Sequence, residues 1–392
     1  MKGRVLLVHV FFDVLGGAEF LALNAAKALR EDGYSVTILS STPLERATVL
    51  ERFNIDVTEF NVAVKQLPVA YKLGSVMRGR FSRLRRLTVY KRFFTEYLSK
   101  VSGDYDLVLE TQSNIPSPTD ISYIHYPAWA DFLKEKDKSP HWRLYDWIVR
   151  LYANSLKNEI TPGRVLTNSS WTAAQIFKVH HIVADVVYPP VDVEYFSRVS
   201  SNENREKLIV TTSRFVAGKM LHKVVDVAAK LRDYNFVIIG STTEHSQKIL
   251  ESIERKIKEQ GLNNVILETN LPRSRVLEYL GAARFYLHPE FPEHFGISIV
   301  EAMAAGAVPI VYRDGGAWHD VVSRVSDVLG YRSIEEVPGI VKRLESSADY
   351  VELRRKSMEV SRMFTYENFK RNLLDKVEYV LRVKRLASSS KP

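Results

Sequence analysis

Short aliphatic runs alternate with segments of helical spacing from residue 4 to residue 311, in two successive series. This alternation constrains the fold more than any other feature, because strands separated by helices pair in parallel. In the first series, residues 4–10 read as a buried strand and 18–30 as a helix, stopped by Asp32-Gly33. Strands at 35–39, 107–110, 121–125, 164–167 and 185–188 come next. Tyr188-Pro189-Pro190-Val191-Asp192 is a stiff break, and a polar stretch occupies 200–207. The second series places strands at 208–213, 236–240, 265–268, 285–288 and 308–311. Helices near 223–231, 244–260, 273–280 and 296–305 lie between them.

The expected fold is therefore α/β, with two Rossmann-like domains. The first spans 1–200 and the second 201–366, and a charged last helix at 367–388 crosses back to the first. Open parallel sheets bind ligands beyond the carboxyl ends of their strands, so two such ends facing across a cleft suit two substrates. The length of 392 residues fits two domains. A content of 45% apolar and 26% charged residues supports a core in each.

With no cysteine in the chain, disulfides and thiolate-bound metals are excluded. The first ten residues lack the shape of a signal peptide, and no apolar run is long enough to span a bilayer. A cytoplasmic chain is expected. The net charge of +9 favours anionic partners without choosing among nucleotides, lipid headgroups and nucleic acid.

The string HPEFPEHFGISIVEAMAAG at 288–306 carries the most chemistry. A strand ends near His288, the loop carries Glu293, a helix opens near Gly296, and Gly306 suits its C-cap. Glycine at the helix start lets a ligand approach the backbone, where free N–H groups and the dipole attract a diphosphate. Glu301, about one and a half turns inside, could accept hydrogen bonds from the vicinal hydroxyls of a ribose. The spacing of Glu293 and Glu301 alone leaves ordinary ion pairing open.

Arg214 and Lys219 come after a strand and before a helix, where two cations can offset charge on a leaving diphosphate. Gly16-Gly17 sits between the first strand and the first helix, without the spacing of a dinucleotide fingerprint. His125 ends a strand in Ile121-Ser122-Tyr123-Ile124-His125-Tyr126-Pro127; a lone histidine there is as readily structural. Residues 78–98 hold seven cations against Glu96, with aromatics interleaved. Such a segment can lie on an anionic membrane surface or be a surface helix with a core-facing side.

The 288–306 string resembles the Glu-x7-Glu motif of family 4 glycosyltransferases, retaining enzymes of the GT-B fold. The resemblance implies that Glu301 binds the donor ribose and Glu293 lies beside the transferred sugar. It further implies that the backbone of Phe295, Gly296 and Ile297 contacts the donor and that Arg214 and Lys219 clamp its diphosphate. Gly218 stands where the family usually has an acidic residue before the lysine. Gly16 and Gly17 match the family's N-terminal Gly-Gly loop, which implies a role in binding at the donor–acceptor junction.

The His125-Tyr126-Pro127 segment is similar to that of α-1,2-mannosyltransferases that extend dolichol-linked oligosaccharide, which implies that His125 contacts the transferred sugar. The implied donor is a nucleoside-diphosphate sugar, GDP-mannose or a UDP-sugar, with mannose favoured and no further cofactor. The implied acceptor is a lipid-linked glycan, reached by an enzyme peripheral on the cytoplasmic face of a membrane. Asp104-Tyr105-Asp106 has the form of a metal-binding triplet but lies far from any Gly-rich loop, so no metal site is expected. Asn168-Ser169-Ser170 reads as structural. The rivals are a GT-B transferase with a soluble sugar or sugar-phosphate acceptor and a nucleic-acid-binding protein. No aromatic RNA-binding box or zinc spacing supports the latter.

Overall fold

The computed structural model describes residues 2–12, 15–64, 93–127, 147, 163–242, 246–345 and 348–389. The chain divides into two compact units. One comprises Met1–Asn168, Thr172–Val187 and Lys370–Pro392, the other Ser169–Trp171 and Tyr188–Phe369.

The first unit holds strands β1 (Gly3–Val8), β2 (Tyr34–Ser40), β3 (Asn61–Val64), β4 (Leu107–Glu110), β5 (Ile121–Ile124), β6 (Arg164–Thr167) and β7 (Asp185–Val186). They form one parallel sheet in the order β3-β2-β1-β4-β5-β6-β7. Val5 to Val8 are buried without alternation, as a strand covered on both faces requires.

The second unit holds β8 (Glu206–Thr212), β9 (Asn235–Gly240), β10 (Val265–Thr269), β11 (Ala283–Leu287), β12 (Val308–Tyr312) and β13 (Gly330–Tyr331). Its parallel order is β10-β9-β8-β11-β12-β13. Counted within each unit, both sheets run 3-2-1-4-5-6, the doubly wound order of a dinucleotide-binding fold, and the first adds β7 at its edge. The order reverses between β1 and β4 in one unit and between β8 and β11 in the other. Loops leaving the carboxyl ends of those strands therefore splay to opposite faces and open a crevice.

Every strand expected from the sequence is present, with ends shifted by up to a few residues. Two are additional. β3 offers only Val62, Ala63 and Val64 as apolar residues, and β13 is two residues long, both too short to register as a periodic pattern.

The division between units falls at Val187/Tyr188, whereas the sequence pattern puts it at 200/201. Val191, Val193 and Phe196, just after the proline pair, are buried in the core of the second unit. Val191 also donates its N–H to the Phe364 carbonyl at 2.8 Å. The stiff Pro-Pro segment is thus the first packed piece of the second unit.

The last helix, Tyr366–Ser389, counts with the first unit from Lys370 onward. Leu373, Val377, Val380 and Leu381 form its buried stripe. Lys370, Lys376 and Lys384 pair with Glu31, Asp185 and Asp120 at 2.7, 3.1 and 2.8 Å.

The helix Ile297–Ala304 ends as its sequence asks. Gly306 adopts φ +89°, its N–H meets the Met303 carbonyl, and the Ala307 N–H meets the Ala302 carbonyl. That pair of bonds satisfies carbonyls the helix leaves open. The buried Arg205 guanidinium serves the same end. It donates to the Ala305 carbonyl at 2.7 Å and to Gly281, in the neighbouring helix Arg273–Ala282, at 2.6 Å. A Cβ on Gly306 would stand 2.5 Å from Arg205 Nη2. Gly306→Ala is expected to destabilise the chain by about 1–2 kcal/mol from the left-handed backbone alone, with displacement of Arg205 adding to it. A lowered urea midpoint checks this; an unchanged midpoint refutes it.

Candidate functional site

Lys219 and Glu293 come from the two loops that flank the order reversal of the second sheet. Lys219 lies after β8, and Glu293 lies after β11. Because β8 and β11 pair directly, the loops leave the sheet side by side, and Lys219 Nζ meets Glu293 Oε2 at 2.7 Å. The ammonium also lies 4.2 Å from the centroid of the Phe291 ring. Burial pushes the Glu293 carboxyl up, but Lys219 and then His288 outweigh it and hold the group well below the usual carboxylate range.

The backbone braces the same carboxylate. The His294 N–H donates to Glu293 Oε1 at 3.1 Å, and the Glu293 carbonyl accepts the Ala317 N–H at 3.2 Å. His288, buried at the end of β11, brings Nε2 to 3.7 Å from Glu293 Oε2. Burial lowers the affinity of His288 for a proton. A second pair, Lys223 with Glu290 at 3.0 Å, ties the same two segments together.

Gly296 caps the helix Ile297–Ala304 with φ +92°. The left-handed backbone favours glycine there, and a Cβ would also have to displace Ile299 Cδ1, which it would meet at 2.7 Å. The first N–H groups of that helix have no partner within it. Phe295 is buried, with its ring in the core against Tyr188 and Phe364. Ile297 is half-buried as the first helical residue. Ser298 at the same turn shares a 3.0 Å hydrogen bond with the buried Tyr286 hydroxyl, which in turn bonds Thr212 at the end of β8. The helix start is thereby pinned to the strand that precedes Arg214 and Lys219.

Glu301 lies on this helix and keeps part of its surface exposed. Burial pushes its carboxyl up to about 7, against the pull of Arg273 and with some help from Asp192. Arg273 is itself committed to Asp192, at 2.8 Å. Arg214 is exposed on the loop after β8. The structure therefore joins Lys219 to Glu293, while Glu301 faces different charges and Arg214 stands in solvent.

In the first unit, Gly16 caps the helix Gly17–Glu31 and donates its N–H to Glu19 Oε2 at 2.9 Å. Glu19 Oε1 lies 3.5 Å from Nε2 of the buried His9. Burial pushes Glu19 up, but His9 and the Gly16 N–H pull it further down. His9 Nδ1 is 2.9 Å from Thr111 Oγ1, and the Thr111 carbonyl is 3.0 Å from His125 Nε2. A carbonyl only accepts, so Nε2 of His125 carries the hydrogen. Gly16 and His125, far apart in sequence, thus join one polar chain after β1, β4 and β5. The loop after β4 is held by Glu110, which accepts from the N–H groups of Gln112 and Ser113 and from the Ser113 hydroxyl.

His9, Glu19, Glu110, Thr111, His288 and Arg273 do not stand out in the sequence. His288 opens the 288–306 string, where it reads as a strand end, and Glu19 adjoins the Gly16-Gly17 turn; position in or beside a motif is their one available signal. Asn168 is buried and donates to the His125 carbonyl at 2.8 Å, a structural role. Asp106 accepts the Arg4 N–H at 2.7 Å, which ties the triplet to β1. In the basic stretch 78–98, all seven cations fall within 78–92 and lie outside the described residues.

Residues 192–353 match the family described as glycosyl transferases group 1. The chain carries a glycosyltransferase group 1 domain. Among curated relatives, it is 27% identical over 235 residues to the human GDP-Man:Man(3)GlcNAc(2)-PP-Dol alpha-1,2-mannosyltransferase, covering 55% of this chain and 48% of that one. It is 26% identical to the Neurospora crassa protein of the same name, over 67% of this chain and 56% of that one. The chain spans about half the length of these two relatives. The human alpha-1,3/1,6-mannosyltransferase is 25% identical, with 84% of both chains covered.

Solved structures share the fold at low identity. Anabaena HepE in complex with UDP and glucose superposes with a TM-score of 0.68 at 16% identity, over 96% of this chain and all of that one. Sucrose-phosphate synthase from Thermosynechococcus elongatus gives 0.72 at 15%, over 99% and 100%. The α/β fold of two Rossmann-like units is the GT-B fold expected from the sequence.

The raised Glu301 carboxyl gives a direct test. A carboxyl that titrates near 7 when folded and in the ordinary carboxylate range when unfolded makes folding take up a proton between those values. Stability then falls as pH rises through that window. Glu301→Gln removes this loss, so the variant should be more stable than the parent at pH 8, with the gap closing toward pH 4.5. Urea midpoints at the two pH values measure it, and parallel curves would show that Glu301 titrates normally.

Proposed function

We propose that this chain is a retaining glycosyltransferase that moves a hexose, mannose first among candidates, from a nucleoside-diphosphate sugar to a lipid-linked glycan. The reading is carried by one arrangement: Lys219 paired with an ionised Glu293 beside the Gly296 helix start, with Glu301 deeper in that helix. The group 1 domain, and relatives named for mannosyl transfer to a dolichol-linked oligosaccharide, support it.

In this reading the donor diphosphate lies at the helix start, where free N–H groups and the dipole favour negative charge. Arg214 and Lys219 supply positive charge as the diphosphate leaves, so no divalent ion is required. Glu301 accepts hydrogen bonds from the ribose hydroxyls. Glu293, kept ionised by Lys219, accepts from hydroxyls of the transferred sugar and orients it; it is not the nucleophile. Substitution proceeds on the front face, and a leaving phosphate oxygen helps take the proton from the acceptor hydroxyl. Gly16 and Gly17 act at the donor–acceptor junction, and His125 contacts the transferred sugar.

Among the described residues no helix is long and apolar enough to cross a membrane. Access to a lipid-linked acceptor is assigned to docking of the basic stretch 78–98 on an anionic membrane surface at its cytoplasmic face.

The deciding experiment offers purified chain GDP-mannose, UDP-glucose and UDP-N-acetylglucosamine and measures release of the nucleoside diphosphate. Slow hydrolysis of one donor that persists in EDTA is the expected result. Hydrolysis of none, or activity abolished by EDTA and restored by Mn²⁺, overturns the donor or the metal-free part respectively. Arg214→Ala and Lys219→Ala should each lower kcat more than they change acceptor KM. Glu301→Ala should weaken nucleoside diphosphate binding by roughly 1.5–3 kcal/mol, the scale of a lost charge-assisted hydrogen bond, read by calorimetry.

A further inference from the structure

The outward face of the last helix carries charge in a pattern the proposed activity does not use. Asp375, Glu378, Arg382 and Arg385 are exposed and recur at steps of three and four residues, which places them on one stripe. Acids occupy its amino-terminal half and bases its carboxyl-terminal half. Asp375, Arg382 and Arg385 form no ion pair among the described residues, and Glu378 reaches only Lys2, at 3.8 Å. Three apolar side chains lie beside the stripe: Tyr379, Val383 and Leu386 are 45%, 45% and 64% exposed. An open groove of about 630 Å³ runs along this face, with Lys2 and Tyr34 on its other wall.

We propose that this face is a self-association surface that pairs two copies of the chain through antiparallel last helices. The charge order selects the occupant. An anionic membrane would favour cations without acids, whereas this stripe requires a partner that presents bases to its acids and acids to its bases. A second copy related by a two-fold axis at the level of Val380 does so, because an isologous contact brings residue i to j and j to i. Asp375 then faces Arg385 of the second copy and Glu378 faces Arg382, each pair occurring twice. Tyr379, one residue from the axis, packs against its own counterpart, and the groove takes up the flanking side chains. The patch is small, so the association is a weak one that needs high protein concentration. The chain's net charge of +9 opposes approach at long range, so specificity rests on the local pairs.

Sedimentation of the full chain at low salt, from about 1 to 100 μM, the range of a weak interface, should show a concentration-dependent shift from monomer to dimer. The variant Arg382→Glu with Arg385→Glu and the variant Asp375→Lys with Glu378→Lys should each weaken the dimer by roughly tenfold or more. An equimolar mixture of the two should restore it as a heterodimer. All four side chains are exposed, so both variants should keep the parent's urea midpoint. The mixture remains informative if each alone is merely weakened. A parent that stays monomeric throughout overturns the proposal, as do variants that dimerise as well as the parent or a mixture that fails to recover. Monomeric chain that binds anionic vesicles through this face would overturn it too, and assign the face to lipid.

Discussion

The direct parallel pairing of β8 with β11 is the constraint on which the second unit's chemistry depends. These strands are separated in sequence by β9, β10 and three helices, yet they lie side by side because the sheet turns back on its own order at that point. Their carboxyl ends must release two loops into the same crevice. A cation on one loop and a carboxylate on the other then meet without any long-range design beyond strand order. The 2.7 Å contact of Lys219 with Glu293 results from that adjacency, and the Lys223–Glu290 pair repeats it one layer away. Tyr286 adds a third tie, since its hydroxyl links the end of β8 to the first turn of the glycine-capped helix.

The first unit applies the same topology to different side chains. β1 and β4 flank its reversal, and their loops meet through His9 and Thr111 rather than through an ion pair. The result is a polar chain from Gly16 through Glu19, His9 and Thr111 to His125. Burial at its core is high: His9 and Glu110 expose none of their surface. Buried polar groups are costly unless bonded, and Glu110 meets this by accepting three hydrogen bonds from its own loop. That loop presents the Thr111 carbonyl which fixes the His125 ring, so the orientation of His125 is set from a strand whose sequence looks like ordinary core.

Much of this is legible from the chain alone, and the exceptions share a cause. Longer buried strands such as Gly3–Val8 and the helix around Glu301 carry their pattern in consecutive residues. A local pattern suffices to find them. β13 has two residues and no period to read, and the Tyr188–Ser200 segment looks like a linker because its proline pair masks the apolar residues beyond it. Its assignment depends on Val191, Val193 and Phe196 reaching a core built mostly from residues beyond 205, which no local window contains. The same holds at the site. Glu293, Glu301, Arg214 and Lys219 stand out by motif. His288 and Arg273 matter through distances of 3.7 and 2.8 Å to residues that only folding brings near.

The two glutamates of the motif show what spacing cannot specify. They are eight residues apart, of one chemical type, and in adjoining turns of chain, yet the fold drives them in opposite directions. Glu293 sits against an ammonium and accepts a backbone N–H, so its charged form is held firmly. Glu301 gains little from Arg273, because that guanidinium is already neutralised by Asp192, and burial then dominates. The first carboxylate is therefore a permanent acceptor whose charge is balanced before any ligand arrives. The second is left to burial, which favours its neutral form against the pull of Arg273. A pair of identical residues is in this way divided into one held ionised by its neighbours and one that burial pushes toward the neutral form.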